Sequence, residues 1–125
     1  VSTDSGSSYA SASYNFTVKG FEDDDGEDFY GANGQSSIQL TRYQVGSDTG
    51  EFGVSGVMYL GGVRTNTAVN KGGVFMSASE TYTNKLNGNY ASFQYAGATS
   101  AWTNIKFAFA SGTIESGSFK LLGSK

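Results

Sequence analysis

Short runs in which apolar and polar residues alternate recur along the whole chain. In residues 14–21, Tyr14, Phe16 and Val18 fall on one side, and Asn, Thr and Lys fall on the other. Period-two alternation bounded by Gly and Ser predicts half-buried antiparallel strands. Further strands are predicted at 36–43, 52–60, 63–69, 74–78, 81–83, 90–95, 104–110 and 118–122.

The alternation is strongest near the end of the chain. Ile105, Phe107 and Phe109 share one side of the first run, and Phe119 and Leu121 share one side of the second. Two Ser-Gly steps separate the runs, which is typical of a turn between paired strands. We therefore expect an antiparallel pair that closes the fold.

Strand number and spacing together predict the fold class. Short strands with Gly-rich turns and no helical stripe predict an all-β protein, an antiparallel β-sandwich of about eight strands with jelly-roll-like order. Residues 1–13 are Ser-rich and predict a flexible N-terminal arm or linker, which could instead order against a neighbouring subunit. The sandwich domain is then expected to span residues 14–125. A chain that starts at Val1 is expected to be a processed product or a fragment.

Composition excludes several classes of function. The chain has no His and no Cys, which removes the general base of Ser–His and Cys–His catalysis, so we predict a non-enzymatic protein. Its net charge of −3 and its scattered Lys and Arg residues argue against nucleic acid as a partner. No apolar run approaches the ~20 residues of a membrane span.

An acidic run at residues 22–28 is the one candidate metal site. Carboxylates around a Gly turn suit Ca²⁺, which prefers six to eight oxygen ligands. The run is not an EF-hand, since the alternating acidic pattern is degenerate and the final Glu is missing. A solvated acidic loop and a docking patch for a basic partner are the alternatives to a structural Ca²⁺. The candidate ligands are Asp23, Asp24, Asp25, Glu27 and Asp28.

Aromatic and amide side chains in or beside predicted loops form a candidate glycan site. Sugar rings stack on Tyr and Trp, amides orient hydroxyl groups, and loops carry binding function on such scaffolds. For Tyr95 and Trp102 the alternative is that they cap one end of the core. The candidate glycan residues are Tyr30, Asn33, Tyr82, Asn84, Tyr95 and Trp102.

The terminal segment resembles a known kind of module. Its Ser-Gly-x-Ile-x-Ser-Gly turn, followed by Phe-Lys-Leu-x-Gly, is similar to the end of a β-sandwich module found in many tailed-phage virion proteins. An early Tyr-x-Phe-x-x-x-Gly strand, matched by Tyr14, Phe16 and Gly20, also resembles these modules. The C-terminal match comprises Ser111, Gly112, Ile114, Ser116, Gly117, Phe119, Lys120, Leu121 and Gly123.

This resemblance implies a virion part without transferable catalytic residues. The first hypothesis is a tail-fibre or receptor-binding appendage domain that contacts host-surface glycan. The second is a capsid decoration, head-fibre or cement protein that binds other virion subunits. A carbohydrate-binding module of a secreted protein is a third. For a fibre we expect a homo-oligomer, with a trimer as the natural guess.

Overall fold

Five antiparallel strands form a single sheet in the computed structural model, which describes residues 1–23, 26–46, 50–67, 70–114 and 116–123. The protein is therefore all-β, and no helix long and apolar enough to cross a bilayer occurs among those residues. The strand order is β2-β1-β5-β4-β3. The strands are β1 (Tyr14–Glu22), β2 (Gly26–Gln35), β3 (Val54–Gly61), β4 (Lys71–Glu80) and β5 (Leu86–Tyr95).

The pairing of β1 with β5 joins the two halves of the sheet. The other pairs, β1–β2, β3–β4 and β4–β5, each join strands that are consecutive in the chain. In the β1–β5 ladder Phe16 lies opposite Phe93, and Val18 lies opposite Ala91. This register places Phe16, Val18, Ala91 and Phe93 on one face, because side chains alternate between the faces of a strand.

The hydrophobic core lies on this face, which we call the core face. Phe16, Val18, Phe75, Ala91 and Phe93 form the buried cluster. Burying each of the larger of these side chains stabilises the fold by about 1.5–3 kcal/mol. Two irregular segments cover the cluster: residues 36–46 contribute Ile38 and Leu40, and residues 96–104 contribute Trp102.

Gly20 allows the first covering segment to lie directly on the sheet. A Cβ atom at this position would lie 2.6 Å from the Cβ of Arg42 and 2.7 Å from the ring of Tyr43. No real side chain fits that spacing, so a residue without a Cβ is required for this close approach. The backbone N–H of Arg42 also donates to Oδ1 of Asn89 on β5, at 2.8 Å.

The N-terminal segment, predicted as an arm or linker, lies against the chain's own residues 103–104. The N–H of Ser2 donates to the carbonyl of Asn104 at 2.9 Å, and the N–H of Thr103 donates to the carbonyl of Ser2 at 2.9 Å. Ser2 is buried. Asp4 closes the turn that follows, because its carboxylate accepts bonds from the hydroxyl groups of Ser2 and Ser8 at 2.6 and 2.5 Å.

Part of the predicted strand pattern is confirmed. The strands predicted at 14–21, 52–60, 74–78 and 90–95 correspond to β1, β3, β4 and β5, and β4 and β5 are longer than predicted. Residues 26–35 form β2 although no strand was predicted there. This edge strand contains three Gly residues, which have low strand propensity, and its backbone pairing with β1 holds it in the sheet.

The eight-stranded sandwich is not shown, since the described residues form one five-stranded sheet. Ile38 and Leu40 do point to the core, as predicted, but residues 36–43 form an extended covering segment and not a strand. The predicted strands at 104–110 and 118–122 are also not formed, apart from one bridge between Ser2 and Asn104. Alternation of apolar and polar residues indicates that a segment has one apolar side. It does not indicate whether a neighbouring strand pairs with that segment.

Replacing Phe93 with Ala tests the one-sided core. We expect a loss of about 3–5 kcal/mol in the free energy of unfolding, because the change leaves a cavity among Phe16, Phe75 and Ala91. Urea denaturation followed by Trp102 fluorescence measures it. Thr17→Ala on the opposite face of β1 is the matched control and should cost less than about 1 kcal/mol. Equal losses for the two variants would contradict a core on this face alone.

Acid titration tests the N-terminal turn. Hydrogen bonds from the side chain of Ser2 and then from Ser8 lower the pKa of Asp4 to about 2. A lowered pKa in the folded state means that the turn is fully stabilised above pH 3.8 and loses this stabilisation as the pH falls through about 2. In the unmodified chain, the NMR chemical shift of the Ser8 amide should follow the titration of Asp4 with a midpoint near pH 2. In the Ser8→Ala variant this midpoint, followed at another amide of the turn, should be higher, because the carboxylate loses the bond from the Ser8 hydroxyl. A midpoint near 3.8 in the unmodified chain would contradict the hydrogen bonds to the Asp4 carboxylate that close the turn.

Candidate functional site

The second face of the sheet, which we call the open face, carries a row of side chains across all five strands. Val57 on β3 lies opposite Met76 on β4, and Met76 lies opposite Tyr90 on β5. Tyr90 lies opposite Lys19 on β1, which lies opposite Phe29 on β2. Residues opposite one another in antiparallel strands share a face, so these side chains form one continuous surface.

Large apolar side chains on the open face are exposed to solvent. Their exposed fractions run from 40% at Met76 to 64% at Phe29. Scattered apolar side chains are normal on a protein surface, but a contiguous group rimmed by polar residues marks an interaction site. We call this group the open-face patch; it comprises Phe21, Phe29, Val57, Tyr59, Met76, Leu86 and Tyr90.

A shallow concavity of about 520 Å³ lies in the middle of the open-face patch. The next row across the sheet begins Ser55, Ala78, Gly88, and these small residues form the floor of the concavity. The larger side chains that line it are Phe21, Val57, Met76 and Tyr90. The alternation of small and large rows thus produces an apolar depression that an aromatic or aliphatic side chain of a partner could fill.

The open face carries little uncompensated charge at its centre. Lys19 forms an ion pair with Glu27, and its Nζ atom lies 4.9 Å from the centre of the Phe21 ring. The cation is therefore neutralised by its neighbour on β2, while its stem runs along an aromatic ring. Desolvating this face against a partner costs less than desolvating a surface of unpaired charges.

Buried polar residues hold the covering segments on the core face. Asn87 Nδ2 donates to Ser79 Oγ at 3.1 Å, and Asn89 accepts from the backbone of Arg42. At the other end of β4, Nζ of the buried Lys71 donates to the carbonyl of Thr99 at 2.6 Å. The bonds of Asn89 and Lys71 hold the covering segments, whereas the Asn87–Ser79 bond joins β5 to β4. No equivalent covering segment lies over the open-face patch among the described residues.

Of the candidate glycan residues, the structure brings together only Tyr95 and Trp102. Their ring centres lie 6.3 Å apart, and the ring of Tyr95 lies 5.0 Å from that of Tyr14. Tyr95 is buried, and Trp102 packs against the core cluster. Burial raises the pKa of the Tyr14 phenol, and the neighbouring Tyr95 adds to this shift. The pair thus caps one end of the core, the alternative weighed from the sequence.

The remaining glycan candidates lie at separate places. Tyr82 and Asn84 belong to the turn between β4 and β5, where Tyr82 is largely exposed and Asn84 has a positive φ of 59°. Tyr30 and Asn33 lie on the edge strand β2, and the Tyr30 ring lies 5.8 Å from that of Phe16. These residues form no common platform.

The acidic run is divided between ion pairs and residues outside the described part. Glu27 pairs with Lys19, and Asp28 pairs with Arg42 at 2.5 Å. The N–H of Asp23 donates to the carbonyl of Leu86 at 3.2 Å. Asp24 and Asp25 lie outside the described residues. Within the described ranges, no group of three or more acidic residues is placed to hold a metal ion.

Period-two alternation does not predict the open-face patch, because it describes half-buried strands with only one apolar side. A signal was present in the sequence: residues 57–60 and 74–76 are unbroken apolar runs, so both faces of β3 and β4 are apolar there. Such runs are typical of strands covered on both faces. Here the structure covers one face and leaves the other exposed.

Comparisons with known proteins give no relative from which a function could be transferred. No family model matches the chain, and neither a curated protein nor a solved structure is significantly similar to it.

Replacing Asn89 with Ala tests how the cover is held. The change leaves the buried N–H of Arg42 without its acceptor, so we expect a loss of about 1–3 kcal/mol in stability. Hydrogen exchange at the Arg42 amide should accelerate more than at amides within β1. Asn33→Ala, at an exposed position on β2, is the control and should leave both quantities unchanged. Unaltered exchange at Arg42 would show that the segment is held by other contacts.

Proposed function

We propose that this chain is a non-enzymatic structural subunit of a phage virion, of the tail-fibre or appendage type, and that it works by packing its open face against another virion subunit. The resemblance of its terminal segment to virion modules supports the setting. The exposed apolar surface of the open-face patch supports the mode of action. The setting implies a place on the particle surface or tail, outside the host cell.

The open-face patch is the observation that carries this proposal. An aromatic and aliphatic surface of this kind is unfavourable in water, and burying it recovers about 25 cal/mol per Å² of apolar area. Buried centres of stable interfaces are apolar and rich in aromatic side chains and Met, and poor in charge. The patch has that composition, and the neighbouring Lys19 is paired with Glu27.

The sandwich expected from the sequence is completed, on this proposal, by a partner. A single sheet with two apolar faces needs a layer on each side, and sheets that pack face to face lie about 10 Å apart. The covering segments supply one layer, and a neighbouring subunit supplies the other. A homo-oligomer such as a trimer would provide such neighbours by symmetry.

Contact with host-surface glycan is a second candidate function for the same kind of domain. The turn between β4 and β5 favours it, because Tyr82 is 63% exposed there and Asn84 lies two residues further along. A sugar can stack on the exposed aromatic ring while the amide forms hydrogen bonds with its hydroxyl groups. This turn lies at the end of the sheet, so both functions could be present in one subunit.

Incorporation into particles tests the proposed function. Met76→Glu places a charge in the middle of the open-face patch, so we expect at least about a tenfold drop in the chain's copy number per purified particle. Quantitative mass spectrometry measures the copy number, and electron microscopy with a labelled antibody locates the chain. The purified variant should unfold at nearly the same temperature as the parent, since Met76 lies outside the core.

Ser37→Glu is the matched control, because Ser37 is exposed on the segment that covers the core face. This variant should be incorporated normally. Absence of the unmodified chain from purified particles would overturn the virion setting. Normal incorporation of the Met76 variant would overturn the role of the open face while leaving the setting intact.

A further inference from the structure

The C-terminal segment, residues 105–114 and 116–123, has the alternation of a strand pair but no strand partner. None of its described residues belongs to the sheet, and its large apolar side chains other than the half-buried Phe107 are exposed, from 37% at Ile105 to 90% at Leu121. The rings of Phe107 and Phe119 stack at 5.0 Å, which brings its two runs together. An isolated two-stranded hairpin is only marginally stable in water, so packing on an apolar surface would stabilise such a segment.

This segment leaves the domain on the core face, away from the open-face patch. Trp102 packs against the core cluster, and its backbone N–H donates to the carbonyl of Val63 at 2.8 Å. Asn104 is bonded to the buried Ser2. The last fixed point before the segment is therefore on the far side of the sheet from the open-face patch of the same chain.

The charges of the segment and of the rest of the chain are complementary. Residues 105–125 contain three Lys and one Glu, whereas residues 1–104 contain five basic and ten acidic residues. Two of those acids, Glu27 and Glu80, lie on the open face, at the end of the sheet beside Phe21 and Leu86. Lys19 already pairs with Glu27, so Glu80 is the carboxylate that Lys120 of the segment can approach while the apolar side chains cover the patch.

We infer that the C-terminal segment of one copy packs on the open-face patch of a second copy. Its two runs pair with each other there, with Phe107, Phe119 and Leu121 facing Val57, Met76 and Tyr90. This places a two-stranded layer over the open face and forms the sandwich that the sequence predicts from two chains. The inference rests on the proposed function, in which the open face is an assembly surface, and it names the partner.

The contact is head to tail, because the donating segment and the accepting face are different surfaces of the chain. Such heterologous contacts close into rings or continue as filaments, according to the rotation between neighbours. A trimer is one closed form. An isologous pair that joins two open faces directly would leave the C-terminal segments exposed.

Disulfide trapping tests this inference, and the chain offers a clean background because it contains no Cys. Leu121→Cys in one chain and Met76→Cys in another, mixed in equal amounts under mild oxidation, should give a mixed dimer on a non-reducing gel. We expect at least about ten times more of it than from Leu121→Cys mixed with Ser36→Cys, whose thiol lies beside the covered face. Lys120→Glu added to the Leu121→Cys chain should lower the yield.

Three outcomes would overturn the inference. Equal yields from the two mixtures would show that no specific contact forms. A monomeric internal disulfide in a chain carrying both Leu121→Cys and Met76→Cys, at the expense of dimers, would show that each segment covers its own face. A dominant disulfide dimer between two Met76→Cys chains would show direct packing of two open faces. In each case the particle-incorporation experiment with Met76→Glu still decides the proposed function, because it does not depend on which partner covers the patch.

Discussion

The pairing of β1 with β5 is the constraint on which the rest of this structure depends. It is the one strand pair between residues far apart in sequence, with Phe16 opposite Phe93 and Val18 opposite Ala91. A shift of one residue would turn all of these side chains to the other face, so the register decides where the core lies. The buried Asn89 on β5 then fixes where the first covering segment docks, since it accepts the bond from the backbone N–H of Arg42.

In the part of the chain that the structure describes, the irregular segments that cover the sheet lie on the core face. Residues 36–46 and 96–104, with the N-terminal turn around Asp4, all lie on the core side of the sheet. The other face keeps its apolar rows, and the small residues Ala78 and Gly88 give those rows a concave shape. The same five strands therefore carry a covered face, which holds the core, and an exposed apolar face, which we propose is the assembly surface.

The sequence predicted the all-β class and the central strands well, because Tyr14, Phe16 and Val18, and likewise Phe93 and Tyr95, alternate in a half-buried ladder. It did not predict β2, since an edge strand held by its backbone to β1 needs no apolar pattern. It assigned Ile38 and Leu40 to the core correctly and to a strand wrongly. The site was harder: Val57, Met76 and Tyr90 come together only through register, and the candidates Tyr82 and Tyr95 lie at opposite ends of the sheet.

The C-terminal segment has the alternation of a strand but pairs with no strand of the sheet, and this mismatch motivates the proposal about assembly. Ile105, Phe107 and Phe109 alternate as regularly as any residues in the sheet, yet they remain outside it. On the proposal made above, the packing surface of this segment is the open-face patch of a second copy, which is apolar and concave. Lys19 already pairs with Glu27, so the attraction between the segment and that face comes from Lys120 and Glu80. The sandwich that the local pattern predicts for one chain would then be formed by two neighbouring chains.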